Sequence, residues 1–309
     1  MDRRREIAMP SRKKHTFAVL DMFKNKATNI AEWISHYATQ GATKIVLVNN
    51  DSDDDWQKAI RRCARRRIVE VKEDPRHHMQ ISIYRDILRA GTFKDCKWLL
   101  VCDLDEFVYA RNGYISIASF LTSFPLKQVG AIMLPWKNFG SAGHDLQPHG
   151  LRASFTTRAS TPFPEPAPGF SRGKYICRPS FTQDTCIHHP ILKKGKYILS
   201  SGRDITADIH RIYEGFTPAS EHELERSHLH MNHYPIQSKR YFKSVKSTRG
   251  DAYFSDPDHQ IKNMSYFKKF DRNDIVDDEL ACLARREERS LFCWAGPLRR
   301  VGAALGCLH

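Results

Sequence analysis

Three features are scarce or missing in this chain: cysteine pairs, long hydrophobic runs and acidic residues. Its eight cysteines are scattered, and none belongs to the C-x-x-C pair that is typical of zinc sites and redox motifs. One of them, Cys102, lies inside an apolar run that predicts a buried strand. We therefore expect mostly reduced thiols, as in a reducing compartment. The eight positions are Cys63, Cys96, Cys102, Cys177, Cys186, Cys282, Cys293 and Cys307.

Hydrophobic runs are short throughout the sequence. The longest uncharged apolar runs fall well below the roughly 20 residues that a membrane-spanning helix needs. The basic start MDRRREIAMPSRKKH is not followed by the apolar core of a signal peptide. We expect a chain with no transmembrane segment, located in the cytoplasm.

Acidic residues are outnumbered by basic ones. The chain has 49 lysines and arginines against 35 aspartates and glutamates, a formal net charge of +14. Such a surface attracts polyanions, whether nucleic acid, anionic lipid headgroups or phosphate-bearing small molecules, so peripheral contact with a membrane is one expectation. Hydrophobic residues make up 41% of the chain, which is typical of a globular protein and not of a disordered one.

The first hundred residues alternate between strand and helix patterns. The helix predicted after the first strand has Asn29 as its N-cap, Glu32 completing a capping box, and Gly41 as its C-terminal stop. This alternation is typical of βαβ units, and it predicts an α/β fold with a Rossmann-like, doubly wound, mainly parallel sheet. The predicted strands are His15–Phe23, Lys44–Asn50, Arg67–Lys72, Trp98–Cys102 and Val129–Trp136, and the further helices are Trp56–Arg66 and Met79–Ala90.

The pattern loosens beyond about residue 140, and we find no internal repeat. A proline-rich loop, TPFPEPAPG, spans Thr161 to Gly169. We expect a basic tail at 1–14, a nucleotide-binding α/β half at 15–140, a half that completes the site at 141–260, and a C-terminal helical extension at 261–309. A split into two domains near residue 140 is the alternative.

Acids follow the apolar run in KWLLVCDLDEFVYA, which spans Lys97 to Ala110. A strand buried on both faces would end at Cys102, and ligands of open α/β sheets bind outside the carboxyl ends of the strands. Asp103 and Asp105 alternate with Leu104, which predicts that both carboxylates lie on one side of an extended backbone, where they could hold Mg²⁺ or Mn²⁺. Acids that only solvate a strand end are the competing interpretation.

Polar residues also follow the second predicted strand, in VNNDSDDD. Asn50, Ser52 and Asp54 could hydrogen-bond a ribose or a base. The two strand ends could face one crevice, where a nucleotide diphosphate bridged by a metal would fit.

Six segments in order resemble glycosyltransferases of the GT-A fold, in the family 2-like and family 92 group. One departure from that group is Asn25-Lys26, where it usually has Asn-Glu after the first strand. The resemblance implies a transferase that uses a nucleotide sugar, with a UDP-sugar as the expected donor, a glycan or other hydroxyl as the acceptor, and Mn²⁺ or Mg²⁺ as the cofactor. The segments are FAVLDMFKNKATNIAEWISHYATQGATKIVLVNNDSDDDW, KWLLVCDLDEFV, LPWKNFGSAGH, GKYICRP, CIHHP and MNHYPIQSKRYFKSVKSTRGDA.

The resemblance also implies roles for individual residues. Asp103 and Asp105 match the metal-binding D-x-D, and His233 could complete the metal shell. Lys246 and Arg249 are expected to meet phosphate oxygens. Solvated surface polarity is the alternative for each of these last three residues.

The sequence leaves alternative roles open for two basic residues and two histidines. Lys174 and Arg178 lie on one side of a short strand by parity, so both could face phosphate, unless they form a solvated basic edge. In the pair His188-His189 one histidine is expected to be structural and the other to face the site.

The acceptor side is predicted from WKNFGSAGH. Trp136 offers an aromatic platform for a sugar and His144 a polar tip, although a core tryptophan followed by a surface turn is equally consistent. The related families are understood to invert the anomeric centre, which requires a general base. Our candidates are Asp251 and then Glu214, with Asp204 and Asp208 behind them.

Two other classes of protein stay open. A metal-dependent nuclease or nucleic-acid-binding protein would explain the net charge and the cluster RRCARRR at Arg61 to Arg67, although these arginines are remote in sequence from the acids and nucleic acid is the less expected partner. A catalytically inactive transferase fold that only binds glycans is the third option, and the retention of both acids in D-L-D argues against it.

Overall fold

The computed structural model describes residues 15–161, 163, 173–209, 211, 219–248 and 262–295, with side chains up to residue 287. Strands are numbered along the chain as β1 (His15–Phe23), β2 (Lys44–Asn49), β3 (Val69–Glu73), β4 (Cys96–Val101), β5 (Glu106–Ala110), β6 (Val129–Asn138), β7 (Thr157–Arg158), β8 (Gly173–Cys177), β9 (Thr182–Thr185), β10 (Pro190–Leu192), β11 (Lys196–Leu199), β12 (Leu229–His233) and β13 (Ile275–Val276).

Helices are numbered in the same way. They are α1 (Ala27–Thr39), α2 (Trp56–Arg62), α3 (Gln80–Arg89), α4 (Ile117–Ser123), α5 (Leu151–Ser154), α6 (Glu221–Arg226), α7 (Lys239–Tyr241, continued by a π-helical turn at Phe242–Lys246), α8 (Met264–Phe270) and α9 (Glu279–Ala295). Short 3₁₀ turns lie at Arg66–Ile68, Pro179–Phe181 and Thr206–Asp208. In the described residues no helix is both long and apolar enough to cross a bilayer.

The central sheet has the strand order β3-β2-β1-β4-β8-β6-β12-β5, with β11 added beside β6. Its first four strands are mutually parallel. Strand β8 is antiparallel to both of its neighbours, and β12 is parallel to β6 but antiparallel to β5. The sheet confirms the predicted α/β class, with a mainly parallel arrangement.

Apolar side chains cover both faces of this sheet, as the continuous hydrophobic runs predict. On one face, Trp33 of α1, Trp56 of α2 and Phe120 of α4 belong to the same core cluster as the odd-numbered residues of β1, such as Val19. On the other face, Tyr84 of α3 packs on the even-numbered residues. The sheet is therefore doubly wound, and its carboxyl edge opens between the two helical layers.

Helix α1 begins at Ala27, so the prediction that Asn29 is its N-cap was wrong. The carboxylate of Asp54 accepts a hydrogen bond from the backbone N–H of Ala27 at 2.6 Å, and thus caps the helix from the loop after β2. Glu32, expected to close a capping box, instead accepts from the backbone N–H of Leu151 at 2.7 Å, at the start of α5. Remote partners have replaced the local cap.

The end of α1 follows the sequence-based prediction. The last helical residue is Thr39, and Gly41 adopts a φ of +90°, where a side chain would be strained and a Cβ would lie 2.4 Å from Cβ of Ala118. Glycine is thus required here for the conformation and for the close approach of α4.

Strand β8 is inserted between β4 and β6, far from both in sequence. A Cβ on Gly173, its first residue, would meet the carbonyl oxygen of Leu134 at 1.9 Å, so only glycine allows the two backbones to approach this closely. The next residue is Lys174, whose side chain is fully buried. The insertion therefore delivers a lysine to the carboxyl edge of β4.

Candidate active site

The two acids of D-L-D were predicted to lie on an extended backbone. In the structure they lie in a turn. Strand β4 ends at Val101, and the turn is closed by a hydrogen bond from the N–H of Glu106 to the carbonyl of Asp103 at 2.9 Å. The indole N–H of Trp33 donates to the carbonyls of both Asp103 and Glu106, each at 3.1 Å. The turn sends the carboxylates of Asp103 and Asp105 to different partners.

Asp105 is paired with two lysines. Its Oδ2 atom lies 3.0 Å from Nζ of Lys26 and is also hydrogen-bonded by Nζ of Lys246. All three side chains are at most 8% exposed. Burial alone would raise the pKa of Asp105, but Lys246 and Lys26 hold this pKa well below its usual value. The carboxylate is therefore ionised, and two ammonium groups share one oxygen.

Asp103 and Glu106 surround the third lysine. Nζ of Lys174 lies 3.1 Å from Oδ1 of Asp103 and 3.9 Å from Oε2 of Glu106. Burial would lower the pKa of Lys174, but Asp103 and Glu106 raise it above its usual value, so the ammonium group is retained. The same Oε2 atom accepts a hydrogen bond from the backbone N–H of Asp103 at 2.7 Å.

Trp136 joins this cluster to an aromatic group. Its indole N–H donates to Oε1 of Glu106 at 2.7 Å. The ring of His233 is stacked on it at 4.4 Å between centroids, and His188 meets it edge-on at 5.3 Å. Nδ1 of His233 donates to Oδ1 of Asn138 at 2.9 Å, and burial lowers the pKa of His233 to about 3. The site thus has one charged wall and one aromatic wall.

Local structure fixes the loop that carries Lys26. Asn25, which precedes it, has a φ of +53°, a conformation that asparagine tolerates better than most residues. The backbone N–H of Asn25 donates to Oγ of Ser52 at 3.0 Å, and its side-chain oxygen accepts from the N–H of Asp53 at 3.0 Å. The segment after β2 therefore clamps the loop after β1.

Polar residues that were expected to line a nucleotide form this clamp and its surroundings. Ser52 and Asp54 contact the first loop and α1, as described above. The amide of Asn50 donates to the carbonyls of Asp74 and Arg76 at 2.8 and 2.9 Å. The structure thus gives all three side chains a protein partner, and their contact with a nucleotide stays a prediction.

Other predicted site residues are not brought to the cluster. Because β8 runs antiparallel to β4, Arg178 lies at the opposite edge of the sheet from Lys174, with its guanidinium 4.4 Å from the ring of Trp98. The two basic residues therefore do not face one phosphate together. His144 contacts the carbonyl of Ser154 and the ring of Phe155.

The candidates for general base are only partly described. Asp251 and Glu214, together with the phosphate candidate Arg249, lie outside the described residues. Asp204 forms an ion pair with Lys196 at 3.0 Å and accepts from Thr206, and Asp208 lies in a 3₁₀ turn beside it. Neither of these two acids is placed at the cluster.

Sequence reasoning missed three members of the cluster. Lys26 was noted only as a departure from the related families, and Glu106 only as the third acid after β4. Asp21 was not singled out, although an acid in the apolar strand HTFAVLDMF is a signal in itself. Its carboxyl group is fully buried, and neither oxygen has a hydrogen-bond partner in the described part of the chain.

The ligands predicted for a divalent cation are largely occupied by protein groups. Oδ2 of Asp105 holds two ammonium groups, and Oδ1 of Asp103 holds a third. His233 keeps one ring nitrogen, Nε2, that makes no hydrogen bond within the described residues. Across the described side chains no three acids, histidines or cysteines are arranged to hold a metal ion. The described residues of this cluster thus do not fit a resident cation.

Comparison with known proteins places the chain in a family. Residues 13–280 match the profile of glycosyltransferase family 92. A family 92 protein of Oryza sativa subsp. japonica is 23% identical over 252 residues, covering 79% of this chain and 37% of its own length. A family 92 protein of Ricinus communis is 26% identical over 203 residues, covering 60% of this chain and 33% of the relative's own length. The chain thus spans about a third of the length of these relatives.

Among solved structures, one similar chain is TarS of S. aureus in complex with UDP. It has a TM-score of 0.35 and 14% identity, and the alignment covers 54% of this chain and 47% of that one.

Proposed function

The chain belongs to glycosyltransferase family 92, and on that premise we propose that it transfers a sugar from a nucleotide diphosphate sugar to a hydroxyl group of a glycan or another acceptor. The observation that carries this proposal is the buried group of three lysines at the carboxyl edge of the sheet, beside Trp136. Ammonium groups suit the donor diphosphate, and an indole face suits a sugar ring.

The reaction exchanges one bond at the anomeric carbon for another. The bond from this carbon to the diphosphate oxygen breaks, and the nucleoside diphosphate leaves with the electron pair. The acceptor oxygen forms the new bond, and its proton passes to a general base. We propose inversion of the anomeric centre, with Asp251 as the first candidate base and Glu214 as the second.

Trp136 is proposed to form the acceptor platform. Its indole N–H fixes Glu106, and its ring is stacked on His233. Trp136→Ala removes both the face and the hydrogen bond, whereas Trp136→Phe keeps an aromatic face without the donor. If the face holds the acceptor sugar, the KM for acceptor rises at least about tenfold in the alanine variant and less in the phenylalanine variant, with little change in donor binding.

The proposal is tested by incubating the chain with UDP-sugars and GDP-sugars and a panel of glycan acceptors. We expect acceptor-dependent release of nucleoside diphosphate, and a product whose anomeric configuration, read by NMR, is opposite to that of the donor. Retention would refute inversion but not transfer. Absence of nucleotide binding and release throughout the panel would refute the transferase, and binding without turnover would favour the inactive glycan-binding alternative.

The nuclease alternative gains no support from any comparison. The arginines of Arg61–Arg67 lie on α2 and the turn that follows it, and they form no ion pair with another described residue. Contact of this basic surface with an anionic membrane stays a proposal, which sedimentation with anionic and neutral vesicles tests. The activity of the longer relatives and their partners are not carried over to this chain.

A further inference from the structure

The amino edge of the central sheet, opposite the candidate active site, is basic where its middle strands meet. Strands β4, β6 and β11 begin at this edge, and the antiparallel strand β8 ends there. Arg178, which was predicted to face a phosphate with Lys174, belongs to this edge instead. We call the five cations beside these strand ends the basic patch, and they are Lys127, Arg178, Lys193, Lys194 and Lys196.

Three segments of the chain meet in the basic patch. The backbone N–H of Lys196 donates a hydrogen bond to the carbonyl of Gln128 at 2.9 Å. The guanidinium group of Arg178 donates to the carbonyl of Leu126 at 2.6 Å. Lys127 lies between these two acceptors in sequence. The lysines before β6, at the start of β11 and the arginine after β8 therefore share one stretch of surface.

The ring of Phe181 fixes the turn that carries the other lysines. The backbone N–H of Lys193 donates to the carbonyl of Phe181 at 2.9 Å. Nζ of Lys194 lies 4.5 Å from the centroid of this ring, and the guanidinium group of Arg178 lies 5.2 Å from it. Gly195 has a φ of +92°, and a Cβ there would come within 2.8 Å of the same ring. The turn is thus closely packed against the end of β8.

Acids neutralise little of the charge on the basic patch. Lys196 forms an ion pair with Asp204 at 3.0 Å, and both side chains are about half exposed. Burial lowers the pKa of Arg178, and no carboxylate raises it. The other three lysines of the patch are exposed and form no ion pair with another described residue. Five cations against one carboxylate leave a net charge of +4.

The same edge carries further exposed cations beyond the basic patch. They precede β3 or flank the start of β4, and they are Arg65, Arg66, Arg67, Lys94 and Lys97. They are opposed by Asp95 and by Glu70, which is itself paired with Lys44 at 3.5 Å and Lys72 at 2.8 Å. Neighbouring strands are about 4.8 Å apart, so the row from β3 to β6 extends over roughly 25 Å. The positive charge is spread along an edge and does not converge on one point.

We propose that this amino edge docks on the surface of an anionic lipid bilayer, with the basic patch as the main contact and the candidate active site facing away from the membrane. A bilayer presents a continuous array of negative headgroups, which attracts each lysine and arginine held close to it. Ile191, two residues before Lys193, is 36% exposed, and an apolar side chain beside basic ones is favourable in the headgroup region.

Nucleic acid fits this surface less well than a bilayer does. Proteins that hold single strands without sequence preference stack the bases on aromatic side chains. In the basic patch the ring of Phe181 is already contacted by Lys194 and Arg178. The cations therefore offer attraction to a charged surface without a platform for bases.

The test is sedimentation of the full chain with two kinds of vesicle, one of pure phosphatidylcholine and one of an equimolar mixture of phosphatidylcholine and phosphatidylserine. We expect the chain to sediment with the mixed vesicles and not with the neutral ones. Binding should weaken as salt is raised, because salt screens exposed charges. If the chain stays in the supernatant with mixed vesicles at low salt, the inference is overturned.

Variants locate the contact. Lys193→Gln combined with Lys194→Gln should lower partition onto mixed vesicles at least about tenfold, and Lys127→Gln, on a separate segment, at least about threefold. The matched control combines Lys239→Gln with Arg240→Gln, two adjacent exposed cations of α7 on the side of the candidate active site, and should change partition within about twofold. Equal losses in patch and control variants would show attraction by overall charge and refute docking through the patch. Thermal melting verifies that each variant is folded.

Oligonucleotides distinguish a bilayer from nucleic acid. The chain is titrated with a short DNA duplex and with single-stranded RNA in the same salt as the vesicles. If either oligonucleotide binds more tightly than the mixed vesicles and the variant at Lys193 and Lys194 abolishes that binding, the patch is a nucleic-acid surface and the inference is overturned. Otherwise the vesicle measurements decide. None of these outcomes depends on the binding of a nucleotide sugar, so the inference and the proposed transferase stand or fall separately.

Discussion

Asp21 places a carboxyl group inside the apolar strand β1. The side chain is fully buried and lacks a hydrogen-bond partner among the described residues. Burial raises its pKa well above the usual value, and Asp103 raises it further, against the lowering effect of Lys26 and Lys174. Asp21 is therefore a neutral acid beneath a charged cluster.

This state has a consequence for stability that Asp21→Asn reveals. Below about pH 4 the carboxyl is largely protonated in both the folded and the unfolded chain, so its ionisation makes no difference to the free energy of unfolding. As the pH rises, the unfolded chain ionises first, so the free energy of unfolding falls by about 1.4 kcal/mol for each unit of pKa difference. Urea titrations from pH 4 to 8 should show the asparagine variant gaining stability relative to the parent. If the stability difference between the variant and the parent does not change with pH, the neutral state of Asp21 is contradicted.

At the scale of elements, the loops after β1 and β2 behave as one unit. Asp54 caps α1, Ser52 holds Asn25, and the ion pair between Lys24 and Asp51 at 3.5 Å lies at the same contact. The segment after β2 thus determines where α1 begins and where Lys26 points. Nucleotide contact from these side chains would be added to this structural role.

Asp54→Ala tests the capping role. Loss of a helix cap costs about 1 kcal/mol, so we expect a lower free energy of unfolding by about this amount, measured by urea denaturation. Asp55→Ala is the control, because the side chain of Asp55 is 84% exposed and its ion pair with Lys58 is long, at 3.8 Å. If the alanine at 54 weakens UDP binding and leaves stability unchanged, then Asp54 contacts the nucleotide and not the helix in solution.

Local patterns predicted the elements of the first half because apolar runs and Gly41 act within a few residues. They failed at Asn29 and Glu32, since the competing caps come from residues far away in sequence. By contrast, the location of Asp103 and Asp105 at the edge of the sheet was predictable, because both acids directly follow an apolar strand. Lys174 and Lys246 were named as candidates for phosphate contact, but their ion pairs with Asp103 and Asp105 were not predictable, because strand β8 and the π-helical turn reach the site by tertiary packing alone.

At the scale of the whole molecule, most of the described cysteines are buried thiols. The six that the structure describes are free, and four of them are buried. Burial raises the pKa of Cys96 and Cys177 to about 12, so both resist ionisation and hence oxidation. A reducing compartment such as the cytoplasm stays a proposal.

Thiol titration provides the measurement. Protein purified without reductant and then denatured should show nearly all eight thiols free, whereas the native protein should react at fewer. A sample reduced before denaturation gives the full count for comparison. If six or more thiols prove to be paired, the reducing compartment is refuted.

The insertion of β8 also has a consequence for the folding of the chain. The pairing of β1 with β4, such as His15 with Cys96, and the pairing of β4 with β8, such as Leu99 with Cys177, each require the chain to close a long loop. Until that closure, Asp103 and Glu106 face each other without Lys174, and their mutual repulsion opposes compaction of this edge. The charge balance of this edge therefore depends on the arrival of β8 and is not established by the first four strands of the sheet alone.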